Sequence, residues 1–323
     1  MALKDDILFE LMISSFVSGE GLAEKYYVSR NSIWKAVKQL RDEGFEIEAV
    51  TNKGYCLKGD INKITAGAIK KGLKSEWSFE ILPETDSTNN YAKELAISGK
   101  RNRTVVITEK QNGGKGRLGR PFYSPEGNGL YMSVLCRPEI NVDCAPLITS
   151  FTAVAVAKAI EKLSGQDVNI KWVNDVYMNG KKICGILTEA VTDFESGSLQ
   201  YAVMGLGVNI SRPKGGFPSE ISDIASSLYS EEAAGNELKC ALAAEILNNF
   251  FDICERMSVE KLTEEYKSYS VVLGKRIRVI SSNAEYYATA VDIDKNARLI
   301  VRDENGDMHT LSSAEVSVRE GQI

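Results

Sequence analysis

The spacing of apolar residues divides this chain into three regions. In the first, Ile7, Leu8, Leu11 and Met12 recur at helical intervals and predict an amphipathic first helix. A short second helix is predicted around Glu20 to Lys25. It leads through Tyr26, Tyr27 and Val28 into SRNSIWKAVKQLRDEG. There Ser29 serves as N-cap, Gly44 as the stop, and Ile33, Val37 and Leu40 as one buried stripe. Two short strands, Phe45 to Val50 and Tyr55 to Leu57, follow around a turn at Thr51, Asn52, Lys53 and Gly54. Three helices and a basic-tipped hairpin predict a winged helix-turn-helix over residues 1–62.

From residue 63 to 270 the pattern alternates between strand and helix. Strands are predicted at Phe79–Leu82, Thr104–Thr108, Leu130–Leu135, Asn169–Trp172, Lys182–Ala190 and Leu199–Val208, and helices at Thr88–Ser98, Cys144–Leu163 and Glu237–Met257. Residues 271–323 read as strand throughout: KRIRVIS, EYYATAVDID, ARLIVRD and MHTLSS, with turns at Asp294–Asn296 and Asn305–Gly306. Their close spacing predicts a small SH3-like β-barrel. The fold expected is thus α+β and multidomain, with a mixed α/β unit at its centre.

Charge sharpens the first region. Arg30, Lys35, Lys38 and Arg41 flank the stripe of the third helix with no acid before Asp42, although acids outnumber cations over residues 1–60. Cations gathered on the one helix that would enter a groove point to DNA, with Arg30, Asn31, Trp34, Lys35 and Lys38 as the contact set. A three-helix protein-interaction module with a solvated basic face is the competing reading. The net charge of −5 requires any nucleic-acid binding to be local.

Other features narrow the chemistry by exclusion. Asp5 and Asp6 interrupt the start where a secretory signal needs an apolar core. The apolar run from Ala145 to Ile160 is shorter than the roughly 20 residues of a membrane span, so a buried helix and no membrane are expected. Cys56, Cys136, Cys144, Cys184, Cys240 and Cys254 form no Cys-x-x-Cys pair and sit mostly in apolar runs, as reduced thiols of a cytoplasmic protein do. His309 is the single histidine, which excludes a His-pair zinc site. Catalysis then falls to Lys, Arg, Asp, backbone amides or a hard metal ion.

The densest chemistry lies at GGKGRLGR, Gly113 to Arg120: four glycines and three cations in eight positions. Glycine admits close backbone approach, and Lys115, Arg117 and Arg120 add charge-assisted donors, a combination suited to phosphate or another oxyanion. Gly114, Gly116 and Gly119 fit the G-x-G-x-x-G spacing, but that fingerprint needs a helix at the third glycine, and Pro121 with PFYSPEGNG forbids one. No Walker pattern is present. A solvated basic hairpin loop remains the alternative.

Four segments, in order, carry a family resemblance: DSTNN (Asp86–Asn90), QNGGKGRLGRPFYSP (Gln111–Pro125), KWVNDVYMNGKKICGIL (Lys171–Leu187) and GLGVNI (Gly205–Ile210). Together they resemble biotin–protein ligases. The leading winged helix resembles the bifunctional members, which also repress the biotin operon. The resemblance implies ATP-dependent formation of biotinyl-5′-AMP and transfer of biotin to a lysine of a biotin carboxyl carrier protein. Lys182 matches the catalytic lysine, and Arg117 joins it as a second catalytic residue. Ser87, Thr88, Asn89 and Gln111 match biotin contacts, completed by Gly114, Lys115, Arg117, Lys182 and Gly185. Lys115, Arg117, Arg120, Phe122, Asn174, Asp175 and Asn209 match the ATP and phosphate set, with Asp175 serving Mg²⁺.

The same resemblance implies a homodimer on operator DNA, paired beside a glycine loop that ligand orders. Three positions depart from the common pattern: Lys115 for arginine, Val173 for a proline that would stiffen its turn, and Phe122 for tryptophan. Two alternatives keep part of this reading: a lipoate-type ligase of the same architecture, and a ligand-sensing transcription factor without ligase activity.

Overall fold

The computed structural model describes residues 3–42, 45–51, 53–58, 63–138, 145–192, 198–230, 235–280, 285–312 and 314–318. Gly44, Asn52, Asn62 and Cys144 lie outside the described residues. The first unit is α1 (Leu3–Ile13), α2 (Gly19–Lys25), α3 (Arg30–Asp42) and the antiparallel pair β1 (Ile47–Val50) and β2 (Gly54–Leu57). Ser29 Oγ accepts from the Ser32 backbone N–H at 3.1 Å, the cap expected of it. Ile33, Val37 and Leu40 pack with Ile7, Leu8 and Leu11 in a core of their own. A short helix not anticipated from the sequence, α4 (Ala66–Lys70), joins this unit to the next. Lys70 pairs with Asp6, and Lys71 donates to the Met12 carbonyl.

The central unit is a seven-stranded sheet in the order β3-β4-β5-β9-β8-β7-β6. Its strands are β3 (Ser78–Thr85), β4 (Thr104–Gln111), β5 (Gly129–Cys136), β6 (Asn169–Lys171), β7 (Asp175–Met178), β8 (Lys181–Thr192) and β9 (Leu199–Asn209). Only β3 and β4 run parallel; the other pairings are antiparallel. Strand periodicity sorts the side chains between faces. On β9, Ala202, Met204, Leu206 and Val208 enter the main core with α6 (Ala145–Ser164) and α7 (Asn236–Arg256). Tyr201 and Val203, on the other face, pack beneath α5 (Thr88–Ile97) with Ala92 and Ala96. Beyond Val203 that face carries Gly205, Gly207 and Asn209, so the strand itself raises no large side chain there.

After α8 (Val259–Ser268) come β10 (Arg276–Ile280), β11 (Glu285–Ile293), β12 (Leu299–Asp303), β13 (Met308–Leu311) and β14 (Glu315–Val318). They form an antiparallel sheet in the order β13-β12-β11-β10-β14. Among the described residues no ladder joins β13 to β14, so they show this sheet without a closed barrel. The Trp172 indole N–H donates to the Ala297 carbonyl at 2.9 Å, tying this sheet to the central one. Among the described residues no helix is long and apolar enough to cross a membrane.

Candidate active site

Two adjoining cavities open on the glycine-floored face of the sheet. The inner one, about 50 Å³, is lined by Ser87, Thr88, Asn89, Gln111, Lys115 and the row Gly185, Gly205 and Gly207, among others. The outer one, about 370 Å³, lies between the 116–123 loop, the 217–225 segment and the C-terminal sheet at Ala314 and Val316. Gly116, Arg117, Phe122, Asn174 and Lys182 line both. The junction is therefore where the two expected cations, Lys182 and Arg117, meet.

Register explains the floor. Gly205 pairs with Ser133 on one side and Leu187 on the other; Gly207 pairs with Tyr131 and Gly185. The amide of Asn89 lies over the first row, so close that a Cβ on Gly205 would stand 2.1 Å from its Oδ1. The ring of Phe122 lies over the second row, 2.3 Å from where a Cβ on Gly207 would be. These glycines are the condition for close approach. Gly114 acts from behind the wall, its carbonyl accepting the Phe122 N–H at 2.8 Å.

The inner pocket is densely hydrogen-bonded. Gln111 Oε1 accepts from the Thr88 backbone N–H at 2.9 Å and from Thr88 Oγ1 at 3.2 Å, while its Nε2 donates to Ser124 Oγ at 2.9 Å. Ser87 precedes α5 but makes no capping bond, so its buried hydroxyl is not consumed by the helix. Lys115 Nζ donates to Asn90 Oδ1, and Asn90 in turn donates to Asp86, whose carboxyl this bond holds below its usual range. That placement gives Lys115 to the inner pocket; Arg120 lines the outer one.

Lys182 is fixed by its backbone. Its N–H donates to the Ile224 carbonyl and its own carbonyl accepts from the Ser226 N–H, both at 2.8 Å, and a β-bulge at Val176–Tyr177 adjusts the strand that faces it. Its ammonium lies 2.7 Å from Asp175 Oδ1. That buried oxygen is ion-paired by distance but has no aligned hydrogen bond. Arg117 is held by two neutral oxygens, Asn174 Oδ1 at 3.3 Å and Ala314 O at 3.2 Å. The Asn174 amide also ties β7 to β8 by donating to Ile186 O. Asn209 Nδ2 donates to Ser226 O at 2.9 Å and lines the outer cavity. The turn before Asn174 is not loose despite Val173: Tyr266 Oη donates to the Val173 carbonyl at 3.0 Å.

As a metal site the set is sparse. No cluster of three His, Cys, Asp or Glu occurs among the described residues, and Asp175 is the one carboxylate among the residues lining the outer cavity. One carboxylate oxygen lacking a hydrogen bond fits a hard cation that arrives with phosphate and keeps its waters, and does not fit a resident all-protein cage.

On α3, Arg30, Asn31, Trp34, Lys35 and Lys38 lie on the face opposite the buried stripe, and the Lys38 ammonium lies over the Trp34 ring. Arg41 instead donates to the Ile47 carbonyl of the hairpin. Sequence reasoning missed Ser133, Ser124 and Glu189, which partner the predicted residues, and Lys93, which pairs with Glu189. It quoted Gly205 and Gly207 without a role, although glycines two apart in a strand mark one bare face.

Comparisons with known proteins agree with this layout. The profile of the "Biotin/lipoate A/B protein ligase family" matches residues 81–209, an "HTH domain" profile matches 4–56, and a "Biotin protein ligase C terminal domain" profile matches 272–319. The "Bifunctional ligase/repressor BirA" of Bacillus subtilis is 33% identical over 96% of this chain and 96% of its own. The protein of that name from Escherichia coli is 28% identical over 95% of this chain and 94% of its own. A solved biotin protein ligase from Aquifex aeolicus, in complex with biotin and ATP, superposes with a TM-score of 0.60 at 27% identity. It covers 75% of this chain and 98% of that one.

Proposed function

The chain belongs to the biotin/lipoate protein ligase family, as a member with an N-terminal helix-turn-helix, and on that premise we propose that it is an ATP-dependent biotin–protein ligase and biotin-responsive repressor. One observation carries the enzymatic half: Lys182 and Arg117 line both a small, polar, buried pocket and a larger cavity beside it. The ureido ring of biotin is assigned to the inner pocket, because it brings donors and acceptors to buried hydroxyl and amide groups. Lipoate's dithiolane ring offers neither and would leave those groups unpaired. ATP takes the outer cavity.

The reaction asks two anions to meet. The biotin carboxylate oxygen attacks the α-phosphorus, the bond to pyrophosphate breaks, and biotinyl-5′-AMP forms. Lys182 holds the carboxylate and neutralises the α-phosphate as charge develops, while Arg117 and Arg120 clamp phosphate oxygens. Phe122 offers its ring to adenine, Asn209 its amide to the nucleoside, and the loop covers the labile anhydride against water. The acceptor lysine's neutral amine then attacks the acyl carbon, AMP leaves, and one proton is released. Asp175 would hold Mg²⁺ delivered with ATP, which supplies charge neutralisation at the phosphates.

On the regulatory side, residues 1–62 form the operator-binding domain, 63–270 the catalytic domain and 271–323 a C-terminal domain that we read as an opened variant of the SH3-like barrel. A homodimer places two α3 helices on two half-sites. Biotin-dependent exchange of labelled pyrophosphate into ATP tests the ligase: it is expected in the native protein and lost on Lys182→Ala or Arg117→Ala. Absence of exchange with biotin and Mg·ATP would leave the lipoate-type ligase or the ligand-sensing transcription factor. Retardation of biotin operator DNA should require the adenylate and weaken steeply with salt.

A further inference from the structure

One buried cation has no part in the chemistry above. Lys239 lies near the start of α7 with 2% of its surface exposed, and its neighbours Cys240 and Leu242 belong to the main core. It is not among the residues lining either cavity. Its ammonium donates to the Gly127 carbonyl at 2.7 Å, a bond from the helix to the return limb of the glycine loop. Burial pulls the amine below the ordinary lysine range, against the opposing charge of Glu109. An apolar side chain of the same length would fill this space without burying a charge. What the lysine adds is therefore the donor.

The donor grips a soft joint. Gly127 has a φ of +83° and Gly129 follows two residues on, so the peptide between Gly127 and Asn128 has little conformational preference of its own. Upstream, the limb is tied separately: Gln111 N–H donates to the Ser124 carbonyl at 3.2 Å, and Tyr131 Oη to the Pro125 carbonyl at 2.9 Å. Downstream, the β5–β9 ladder begins with Gly129 opposite Asn209. Lys239 holds the peptide in between. Asn128 is also where the second wall of the outer cavity leaves the sheet. Its carbonyl accepts the Ile210 and Ser211 N–H groups at 2.9 and 3.0 Å, and its amide donates to the Arg212 carbonyl at 3.2 Å. That wall then supplies Phe217, Ile221 and Ile224 to the cavity lining.

We infer that Lys239 is a positioning residue for the nucleotide: by fixing the peptide between Gly127 and Asn128, it sets where the 210–225 wall of the outer cavity begins, without touching the ligand. The inner pocket is braced by other bonds, those of Gln111 to Thr88 and Ser124, so the effect falls on ATP and spares biotin.

This rests on the ligase reading of the two cavities, and one set of assays separates the two. Pyrophosphate exchange gives kcat and the KM for ATP, and calorimetry without ATP gives the biotin Kd. Both are run on the native chain, Lys239→Met, Asn128→Ala, the double variant and Leu242→Ala. Lys239→Met keeps the volume and removes the donor. Its KM for ATP should rise about tenfold, with kcat and the biotin Kd changed by less than about threefold. Asn128→Ala should raise the same KM, and the double variant should fall short of the product of the two effects, because both act through one joint. Leu242→Ala, three residues along the same helix, only opens the core: its melting temperature should drop while both constants stay. A Lys239→Met protein that melts lower yet keeps the native KM for ATP overturns the inference, as do equal losses for ATP and biotin or effects that multiply fully in the double variant. If Lys239→Met does not fold, Asn128→Ala decides alone: a raised KM with the biotin Kd retained supports the joint, and an unchanged KM removes it. A native chain that shows no exchange overturns the ligase reading instead.

Discussion

Adding one methyl group at Gly205 tests the architecture of the inner pocket most directly. The Cβ of Gly205→Ala would stand 2.1 Å from Asn89 Oδ1 and 2.7 Å from its Cγ, where real contacts stay beyond 3.0 Å. Strand β9 is fixed by ladders on both sides, so the Asn89 amide must retreat by about an ångström, the difference between those distances. Its bonds to Ser133 at 2.6 Å and Glu189 at 2.8 Å then exceed hydrogen-bonding range or lose alignment. Each buried group left unpaired costs roughly 1–3 kcal/mol, giving about 2–6 kcal/mol for the two. Part of this appears as lost stability, and biotin affinity falls by about a hundredfold or more. Met204→Ala, one residue earlier on the core face, should do the reverse: about 2–5 kcal/mol of stability lost and the biotin affinity retained. Calorimetric melting and biotin titration on both variants read the two effects separately. An unchanged melting temperature and Kd in Gly205→Ala would refute the placement of Asn89 over the glycine floor.

Other outcomes follow from charge and burial. Burial pushes Glu189 upward, but its hydrogen bonds to Lys93 and Asn89 outweigh this and hold it below the ordinary glutamate range. A carboxyl lowered in the native state contributes stability above its ordinary value and loses it as pH falls through the lowered one. Stability to denaturant should thus hold from neutral pH to the ordinary carboxylate range and decline below it; Lys93→Met should move that decline to higher pH, and an unmoved profile counts against the pairing. Burial also raises the thiols of Cys136 and Cys184 to about 12 and Cys240 to about 11, so these three should resist alkylation at neutral pH until the protein is unfolded. Rapid native labelling of Cys184, located by mass spectrometry, would contradict its burial beneath Lys182.

Long periodic segments were legible in the sequence. The stripe Ile33, Val37 and Leu40 and the alternation along β9 reappear as buried faces because apolar burial is set mainly by local spacing. Short elements escaped. Helix α4 has five residues, and strand β7 lies inside KWVNDVYMNG, where the turn signals dominate. β14 has only four residues, and the spacing that suggested a barrel carries no information on whether a sheet closes. In the site, the glycine–cation loop stood out by composition, while Lys182, Asn174 and Asp175 were implied by the family resemblance; all of them line the two cavities. Their supports were not legible. Ser133 sits in an apolar strand and Glu189 in an amphipathic one, and only the register β5-β9-β8 brings them to Asn89.

The partners of the cations explain how the site can wait for anions without collapsing. A cation buried against a carboxylate in good geometry has little to gain from a phosphate, because it exchanges one charged partner for another. Arg117 is anchored differently: a carbonyl and an amide oxygen, both neutral, hold it at 3.2 and 3.3 Å. Lys115 rests on the Asn90 amide, and it is Asn90, not Lys115, that bonds Asp86 directly. Phosphate or carboxylate oxygens replace these weak acceptors with shorter, charge-assisted bonds, so the full difference is available to the ligand. Lys182 is the exception, paired with Asp175 at 2.7 Å, yet the pairing lacks hydrogen-bond alignment. The lysine that must exchange partners between two substrates is thus held in place by an acid that does not satisfy it.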